Sequence, residues 1–243
     1  MPITQSSDEN MRGRVLRYVE ARKKERPGYG VIDVGGAANP WCDALVDAYV
    51  DISPLKTQKP QFNGDINDPA VWDRIPERRF DFSICTHTLE DIRDPAFVMQ
   101  KLMKISRAGF ISMPNKHTEM SNIESVYWLG YCHHRWVFSI TGSGVLRILA
   151  KLPLTSYFSS VNRAPHILAG LNSGFLNSML RKIRRAPVAG GLGWVDRSKV
   201  RPGYELGFIW EESFPYEFVN GDFAGANVYE AARLYTDQLA GGL

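Results

Sequence analysis

The chain has 243 residues, of which 44% are hydrophobic and 23% are charged, and its formal net charge at pH 7 is +3. That length and balance indicate one globular α/β domain and leave too little chain for two large domains. A net charge of +3 is too small to indicate nucleic-acid binding by itself. We therefore expect a polar, flexible segment at residues 1–10, followed by a single domain over residues 11–243.

Segments typical of helices and strands alternate through the first half of the chain. Met11–Arg26 places apolar residues at helical spacing, and Pro27-Gly28 ends that pattern. Strands are predicted at residues 30–34, 47–51, 61–66, 80–85 and 109–113, and further helices at residues 68–73 and 95–106. Such alternation predicts a doubly wound α/β fold with a mostly parallel sheet, which binds its ligands at the carboxyl ends of the strands.

The pattern changes after residue 114. Residues 117–138 are rich in aromatic side chains and predict a loop with short helical pieces, whereas residues 143–152 predict a short amphipathic helix. Later strands are predicted at 157–161, 204–210 and 216–219, and a last helix at 226–239. We interpret residues 116–203 as an insertion that caps the substrate site, and residues 204–210 as an antiparallel strand that closes the sheet.

Small residues follow the first predicted strand of the alternating region. Asp33 lies near the end of that strand, and Gly35-Gly36-Ala37-Ala38 follows it directly. A turn with so little side-chain volume lets a ligand lie against its backbone. The next predicted strand ends in Asp51, which is well placed to accept hydrogen bonds from ribose hydroxyl groups. These features predict a site for a nucleoside cofactor.

The spacing of this turn excludes the commonest nucleotide motifs. Counted from Gly35, the second and third glycines of a dinucleotide G-x-G-x-x-G motif are replaced by Ala37 and Pro40, and the chain contains no GxxxxGK[ST] phosphate loop. The run is closer to D-x-G-x-G-x-G, with Asp33, Gly35, Ala37 and Asn39 at the marked positions.

Three later motifs follow this turn in a recognisable order. They are Gly64-Asp65-Ile66, a strand-like run over Phe80–Asp91 and a second strand-like run that ends at Ile111–Asn115. Together with the acidic-glycine turn and Asp51, these motifs resemble the class I S-adenosylmethionine-dependent methyltransferases, in the branch often called methyltransferase type 11. The resemblance covers residues 28–116.

The resemblance implies a Rossmann-like methyltransferase fold with a seven-stranded sheet and S-adenosyl-L-methionine as cofactor. In that family the acidic-glycine loop holds the methionine part, the acidic residue after the next strand holds the ribose, and the later acidic-apolar pair borders the adenine. Asp33 has an alternative role, in which it caps the turn through backbone amides. The residues implied to bind cofactor are Asp33, Gly35, Gly36, Ala37, Asp51, Ile52, Asp65, Ile66, Thr86 and His87.

The sequence departs from the family pattern at several positions. Ala37 and Asn39 replace glycines, and Asp91 replaces the usual histidine after the fourth strand. Asn39 tolerates the left-handed backbone that a glycine supplies, whereas Ala37 requires a negative φ. The stretch between Asp33 and Asp51 is also short, and it predicts a first crossover helix of about one turn.

A polar and aromatic cluster follows the predicted fifth strand, over Tyr131–Trp136. Histidine titrates near neutral pH and suits removal of a proton from a hydroxyl group, so His133 or His134 is the candidate base and His117 a third candidate. Arg135 offers a bidentate fork for an anionic acceptor. The alternative is an aromatic cluster with structural histidines. No metal site is predicted, because these histidines lack the ligand spacing of known metal motifs.

These features predict a methyltransferase that acts on oxygen of a small molecule, such as a sugar or sugar phosphate. One alternative is a catalytically silent relative that uses the fold for binding or scaffolding, which the departures at Ala37, Asn39 and Asp91 favour. Another is a methyltransferase of RNA or protein, motivated by the basic run Arg181–Arg185. Nucleic acid is the less favoured partner, because the chain carries no RNA-binding module.

The cysteines and the apolar runs of the sequence indicate in which cellular compartment the protein is located. Cys42, Cys85 and Cys132 are scattered and lack CxxC spacing, which is typical of a reducing compartment. No apolar run approaches the roughly 18 residues of a membrane span, and the first residues lack the apolar core of a signal peptide. A cytoplasmic protein is therefore predicted. Ile167–Ile183 has near-helical apolar spacing and suits a lid, a membrane-surface helix or a contact in a homodimer.

Overall fold

A computed structural model describes residues 4–6, 11–36, 41–119, 130–151 and 205–219. Within these ranges four α-helices are present: α1 (Met11–Glu25), α2 (Pro69–Trp72), α3 (Pro95–Ile105) and α4 (Lys116–Glu119). The strands are β1 (Thr4–Ser6), β2 (Val31–Val34), β3 (Ala48–Asp51), β4 (Gln61–Asn63), β5 (Phe80–Thr86), β6 (Ser106–Pro114), β7 (Trp136–Ile140), β8 (Leu146–Ala150), β9 (Glu205–Glu211) and β10 (Tyr216–Phe218). No helix in the described ranges is both long and apolar enough to cross a bilayer.

Seven strands form the main sheet in the order β1-β9-β6-β5-β2-β3-β4. Strands β2 to β6 pair in parallel, whereas β9 is antiparallel to both β6 and β1. The prediction of a doubly wound, mostly parallel sheet with an antiparallel late strand is therefore confirmed. The strand order also reverses next to β2, so the carboxyl ends of β2 and β5 border a crevice of the kind that binds ligands in such sheets.

Apolar residues cover both faces of the main sheet. Helix α1 buries Met11, Val15 and Val19 against one face, and α3 buries an apolar stripe against the other. The start of α3 is set locally, because the Asp94 side chain accepts a hydrogen bond of 2.9 Å from the Phe97 amide and Pro95 suits the first helical turn. Burial of both faces explains why β2 and β3 are apolar almost without interruption.

The first crossover is short, as the sequence predicts. Between β2 and β3 the described residues contain a single turn of 3-10 helix, Asp43–Leu45. Residues 37–40, which include Ala37 and Asn39, lie outside the described ranges. The predicted crossover helix of about one turn therefore agrees with the described part of this connection.

The prediction of a helix at residues 143–152 is wrong. Residues 146–150 form β8 instead, which pairs antiparallel with β7 and parallel with β10 in a second, three-stranded sheet. The physical reason is the turn before it, where Gly144 has a φ of +82° and the Thr141 amide donates to the Val145 carbonyl at 3.0 Å. A hairpin turn supplies β8 with a neighbouring strand, and that pairing overrides the helical spacing of its apolar residues.

The N-terminal segment also differs from the expectation of a flexible polar tail. Thr4–Ser6 pairs with β9 and forms an edge strand, because the free edge of β9 offers unpaired amide and carbonyl groups. Predicted strands 204–210 and 216–219 correspond to β9 and β10. The predicted strand at 157–161, the helix at 226–239 and most of the proposed cap at 116–203 lie outside the described residues.

Candidate cofactor cleft and acceptor site

A cleft opens at the carboxyl ends of β2, β3 and β5, and its cavity volume is about 200 Å³. One glycine, three aspartates, three isoleucines, one threonine and one histidine line it. They are Gly35, Asp51, Ile52, Asp65, Ile66, His87, Thr88, Asp91 and Ile92. The structure thus brings together six residues that the sequence analysis assigned to the cofactor, namely Gly35, Asp51, Ile52, Asp65, Ile66 and His87. Thr88, Asp91 and Ile92 were not assigned to it.

The glycine turn is packed tightly against the strand that follows it. Gly35 has a φ of +78°, and its amide donates a 2.8 Å hydrogen bond to the Val50 carbonyl. A Cβ atom at Gly35 would lie 2.4 Å from Thr88 side-chain atoms. Only glycine meets both conditions without strain, so this backbone can approach a ligand closely.

Asp33 lies beneath the turn and does not line the cleft. A Cβ atom at Gly36 would lie 2.3 Å from both Asp33 carboxylate oxygens, and the Cys42 thiol donates to Asp33 Oδ2 at 3.6 Å. Oδ1 of Asp33 is buried and has no hydrogen-bond donor among the described residues. Burial raises the pKa of Asp33 to about 7. The alternative role of Asp33, in which it caps the turn through backbone amides, stays a prediction.

Asp51 and Ile52 form one wall of the cleft. The Asp51 side chain is mostly buried, and its Oδ1 accepts a hydrogen bond of 3.0 Å from the Ser53 amide. Ile52 is 72% exposed, which is unusual for a large apolar side chain. Asp65 in the same cleft is exposed, accepts a hydrogen bond from the Asn67 amide at 2.8 Å and shapes a turn. A carboxylate beside an exposed apolar surface suits a ligand with hydroxyl groups and a flat ring.

The His87 side chain connects the cleft to β9 through its contact with Glu205. Its backbone φ is +50°, and its Nε2 lies 2.9 Å from Glu205 Oε1. The same oxygen accepts a 2.6 Å hydrogen bond from Ser112 Oγ and lies 2.9 Å from Arg12 Nη2. Burial lowers the pKa of His87, but the bond to Glu205 and the charge of Glu90 outweigh it and raise that pKa to about 9. Glu205 comes from a distant strand, and no local sequence signal could have predicted it.

The His87–Glu205 pair gives the protein a testable pH dependence. The pKa of His87 is about 9 in the folded state, above its ordinary value of 6.5, so its stabilisation is complete below pH 6.5 and is lost as the pH rises through 9. Since His87 is 35% exposed, we expect a loss of about 1–2 kcal/mol in the free energy of unfolding between pH 6.5 and 9.5. Urea unfolding of wild type and His87→Asn at both pH values measures this. Equal pH dependence in the two proteins would contradict the assignment.

The histidine cluster lies next to the cleft. His134 is buried, and its Nδ1 lies 2.6 Å from Glu119 Oε1. Lys151 Nζ donates to Glu119 Oε2 at 2.5 Å, which balances the charge of that buried carboxylate. The Nε2 atoms of His134 and His133 lie 3.7 Å and 3.8 Å from Oδ1 of Asp91, a residue of the cleft wall. The structure therefore joins the predicted acceptor site to the predicted cofactor site through Asp91.

The remaining predicted residues occupy other positions. Thr86 is buried and accepts a 3.3 Å hydrogen bond from Trp41 Nε1, so it supports the cleft from below. Arg135 is exposed, and its backbone amide donates to the Glu90 carbonyl. Ala37 and the His117 side chain lie outside what the structure describes, although the His117 backbone belongs to α4.

The chain is similar to one protein family and to several solved structures. Residues 61–162 match the model of the family described as methionine biosynthesis protein MetW. A search of curated protein sequences gives no match. The chain is similar to many solved structures. One is a S-adenosylmethionine-dependent methyltransferase from Mesorhizobium loti, with 11% identity, 81% of this chain and 95% of that chain covered, and a TM-score of 0.38.

Two further solved structures illustrate the range of these similarities. The trans-methyltransferase CalH, in complex with SAH, shows 13% identity and a TM-score of 0.35, with 41% of this chain and 36% of CalH covered. A SAM-dependent methyltransferase from Aquifex aeolicus shows 17% identity and a TM-score of 0.29, with 40% and 64% covered. The chain thus spans about a third of CalH and most of the Mesorhizobium protein.

The strand topology of this chain identifies its fold, which such distant similarities cannot do. A parallel sheet that reverses at β2, a late antiparallel strand beside β6 and a cleft at the ends of β2 and β3 are properties of this chain itself. The protein therefore has a doubly wound, Rossmann-like fold, and over residues 61–162 it is similar to the MetW family.

Proposed function

We propose that the protein transfers a methyl group from S-adenosyl-L-methionine to a hydroxyl oxygen of a small molecule. The observation that carries this proposal is the cleft wall formed by Asp51 and the 72% exposed Ile52, beside the tight turn at Gly35. A carboxylate, an apolar surface and accessible backbone are the three surfaces that an adenosyl amino acid needs.

The residues present fit this cofactor. Asp51 would accept hydrogen bonds from the ribose hydroxyl groups, and Ile52 with Ile66 would contact the adenine ring. The backbone at Gly35 would lie against the methionine part, because no side chain intervenes there. When bound, the cofactor supplies an electrophilic methyl group on a sulfonium centre. The chain's own task is to align the acceptor with that group and to exclude water.

The acceptor would bind on the side of the cleft where Asp91 lies. His133 and His134 approach Asp91 there, and we propose that this trio promotes loss of the proton from the acceptor hydroxyl. Arg135 is exposed on the same segment and would attract an anionic group such as a phosphate. A sugar or sugar phosphate fits these polar surroundings and is the acceptor class we propose.

We further propose that the protein works in the cytoplasm. Cys42 and Cys85 are free thiols, and both are buried. Unpaired cysteines of this kind are typical of proteins from reducing compartments.

Isothermal titration calorimetry with S-adenosylmethionine and with its demethylated product tests the proposal. We expect both to bind, with dissociation constants in the range of about 1–100 μM that is typical of enzyme substrates. A control titration with adenosine alone is expected to be weaker, because it lacks the part that contacts the Gly35 turn. Absence of heat and of any thermal shift with either compound would favour the silent, scaffolding alternative.

A further inference from the structure

We propose that Asp91, His133 and His134 form a binding site for one divalent transition-metal ion at the edge of the cleft. A carboxylate oxygen and two imidazole nitrogens from these residues all lie within 4.8 Å of one another. Asp91 follows β5, whereas the histidines precede β7, so only the folded chain brings the three together. Two imidazoles and one carboxylate are a common ligand set for zinc and for iron(II).

The distances suit a cation better than direct bonds between the side chains. Oδ1 of Asp91 lies 3.8 Å from His133 Nε2 and 3.7 Å from His134 Nε2, too far for a hydrogen bond to either. Ligands at about 2.0–2.2 Å from a tetrahedral ion lie roughly 3.3–3.6 Å apart. The side chains of Asp91 and His133 are 41% and 55% exposed, so they can move closer together around an ion.

A second layer of contacts holds the His134 ring in an orientation suited to metal binding. Its Nδ1 lies 2.6 Å from Glu119 Oε1, which fixes the ring and leaves Nε2 directed towards Asp91. Glu119 is held in turn by Lys151. A carboxylate that accepts the other ring N–H is the usual support of a metal-binding histidine. A tilted contact with the Tyr131 ring, with centroids 4.6 Å apart and an interplanar angle of 40°, further restricts this imidazole.

The surrounding charge also favours a cation. Glu90 is 1% exposed, and within the described residues neither of its carboxylate oxygens has a hydrogen-bond partner. In that part of the chain its ion-pair partner is His87, whose Nδ1 lies 3.3 Å from Glu90 Oε1. A buried carboxylate with so little compensation is costly. A divalent ion at the neighbouring Asp91 would reduce that cost.

The catalytic role of the ion depends on the proposed methyl transfer, whereas binding of the ion to the protein does not. Three protein ligands leave coordination positions of the ion open, as in catalytic zinc sites. These open positions face the cleft, because Asp91 is part of the cleft wall. An acceptor hydroxyl that binds there has a lowered pKa and loses its proton to solvent. Its oxygen then forms the new O–CH3 bond while the S–CH3 bond of the sulfonium donor breaks, and that electron pair stays on sulfur as the thioether. The histidines act as ligands in this scheme, not as bases.

Titration of the metal-free, full-length protein with Zn²⁺ and with Co²⁺ tests the site. We expect one Zn²⁺ per chain by calorimetry, and for Co²⁺ the visible absorption bands of a four- or five-coordinate ion. His133→Ala and Asp91→Asn are expected to weaken Zn²⁺ binding at least about 10-fold, and Glu119→Gln about 10–100-fold through the loss of support to His134. Glu20→Gln, an exposed carboxylate on α1, serves as the matched control and should bind as wild type does.

Unchanged affinity in both His133→Ala and Asp91→Asn, or no Zn²⁺ binding by the wild-type protein, would overturn the cation site. Circular dichroism of each variant establishes that it folds, and both altered side chains are exposed. Titration of the same metal-free protein with the demethylated cofactor separates the two proposals. Cofactor binding without Zn²⁺ binding would overturn only the cation site, and Zn²⁺ binding without cofactor binding would overturn only the proposed function.

Discussion

Replacement of Asp51 by asparagine is expected to weaken cofactor binding about 100-fold. Charge-assisted hydrogen bonds from ribose hydroxyl groups to a carboxylate contribute about 1.5–3 kcal/mol each, and an amide retains only part of that energy. Asparagine has the same shape and keeps an oxygen that can accept from the Ser53 amide, which donates to Asp51 Oδ1 at 3.0 Å. The substitution should therefore leave the fold intact. Calorimetric titration with the demethylated cofactor measures the change.

Two controls test whether the loss of cofactor affinity is specific to the Asp51 carboxylate. Glu20→Gln removes an exposed carboxylate from α1 and should leave the affinity for cofactor unchanged. Urea unfolding of Asp51→Asn should give a midpoint close to that of the wild-type protein. Wild-type affinity in a correctly folded Asp51→Asn protein would mean that this carboxylate does not hold the ribose, and the proposed orientation of the cofactor would be wrong.

Replacement of Gly35 by alanine is expected to destabilise the protein by about 3 kcal/mol and to abolish cofactor binding. The backbone φ of +78° costs an alanine about 1–2 kcal/mol. The new Cβ would also lie 2.4 Å from two Thr88 side-chain atoms, and overlap of that kind typically costs a further 1–3 kcal/mol. Relief of the overlap must move either the turn or Thr88, and both border the cleft. Urea unfolding and calorimetry measure the two effects.

The chain contains a suitable control for this substitution. Gly142 lies in an exposed turn, and a Cβ atom there would meet nothing within 4 Å. Gly142→Ala should therefore change the free energy of unfolding by less than about 1 kcal/mol. Adding Thr88→Ala to Gly35→Ala removes the two atoms at 2.4 Å but leaves Thr88 Cβ at 2.9 Å, so it should recover only part of the loss caused by overlap and none of the loss caused by the positive φ. Full stability of the Gly35→Ala single variant would contradict the packing described for this turn.

Local sequence patterns predicted the part of the site that neighbouring residues build. The turn after β2, the carboxylate at the end of β3 and the exposed Ile52 beside it lie within one strand-turn-strand unit. Each depends on a short-range cause, such as the absence of side chains at Gly35 or the position of Asp51 at a strand end. Residues of this kind can be found without knowledge of the rest of the fold.

The contacts made by His87 could not be predicted in this way. The sequence placed His87 after the fourth strand of the predicted sheet, where the structure confirms it. Its partner Glu205 belongs to β9, which pairs with β6 but lies far from His87 in the sequence. The same is true of Asp91 and the two histidines, since residues from separate connections meet only at the edge of the folded sheet.

The amino-acid sequence by itself determined the alternation of strands and helices, the parallel sheet and the side of the cleft formed by Gly35 and Asp51, because periodicity and turn chemistry act over a few residues. Tertiary structure alone decided that residues 146–150 form a strand and that Thr4–Ser6 pairs with β9. It also decided that Asp91 joins the cleft to the histidine pair. The physical reason is that strand pairing and side-chain contacts between distant segments gain their energy only when the main sheet holds those segments side by side.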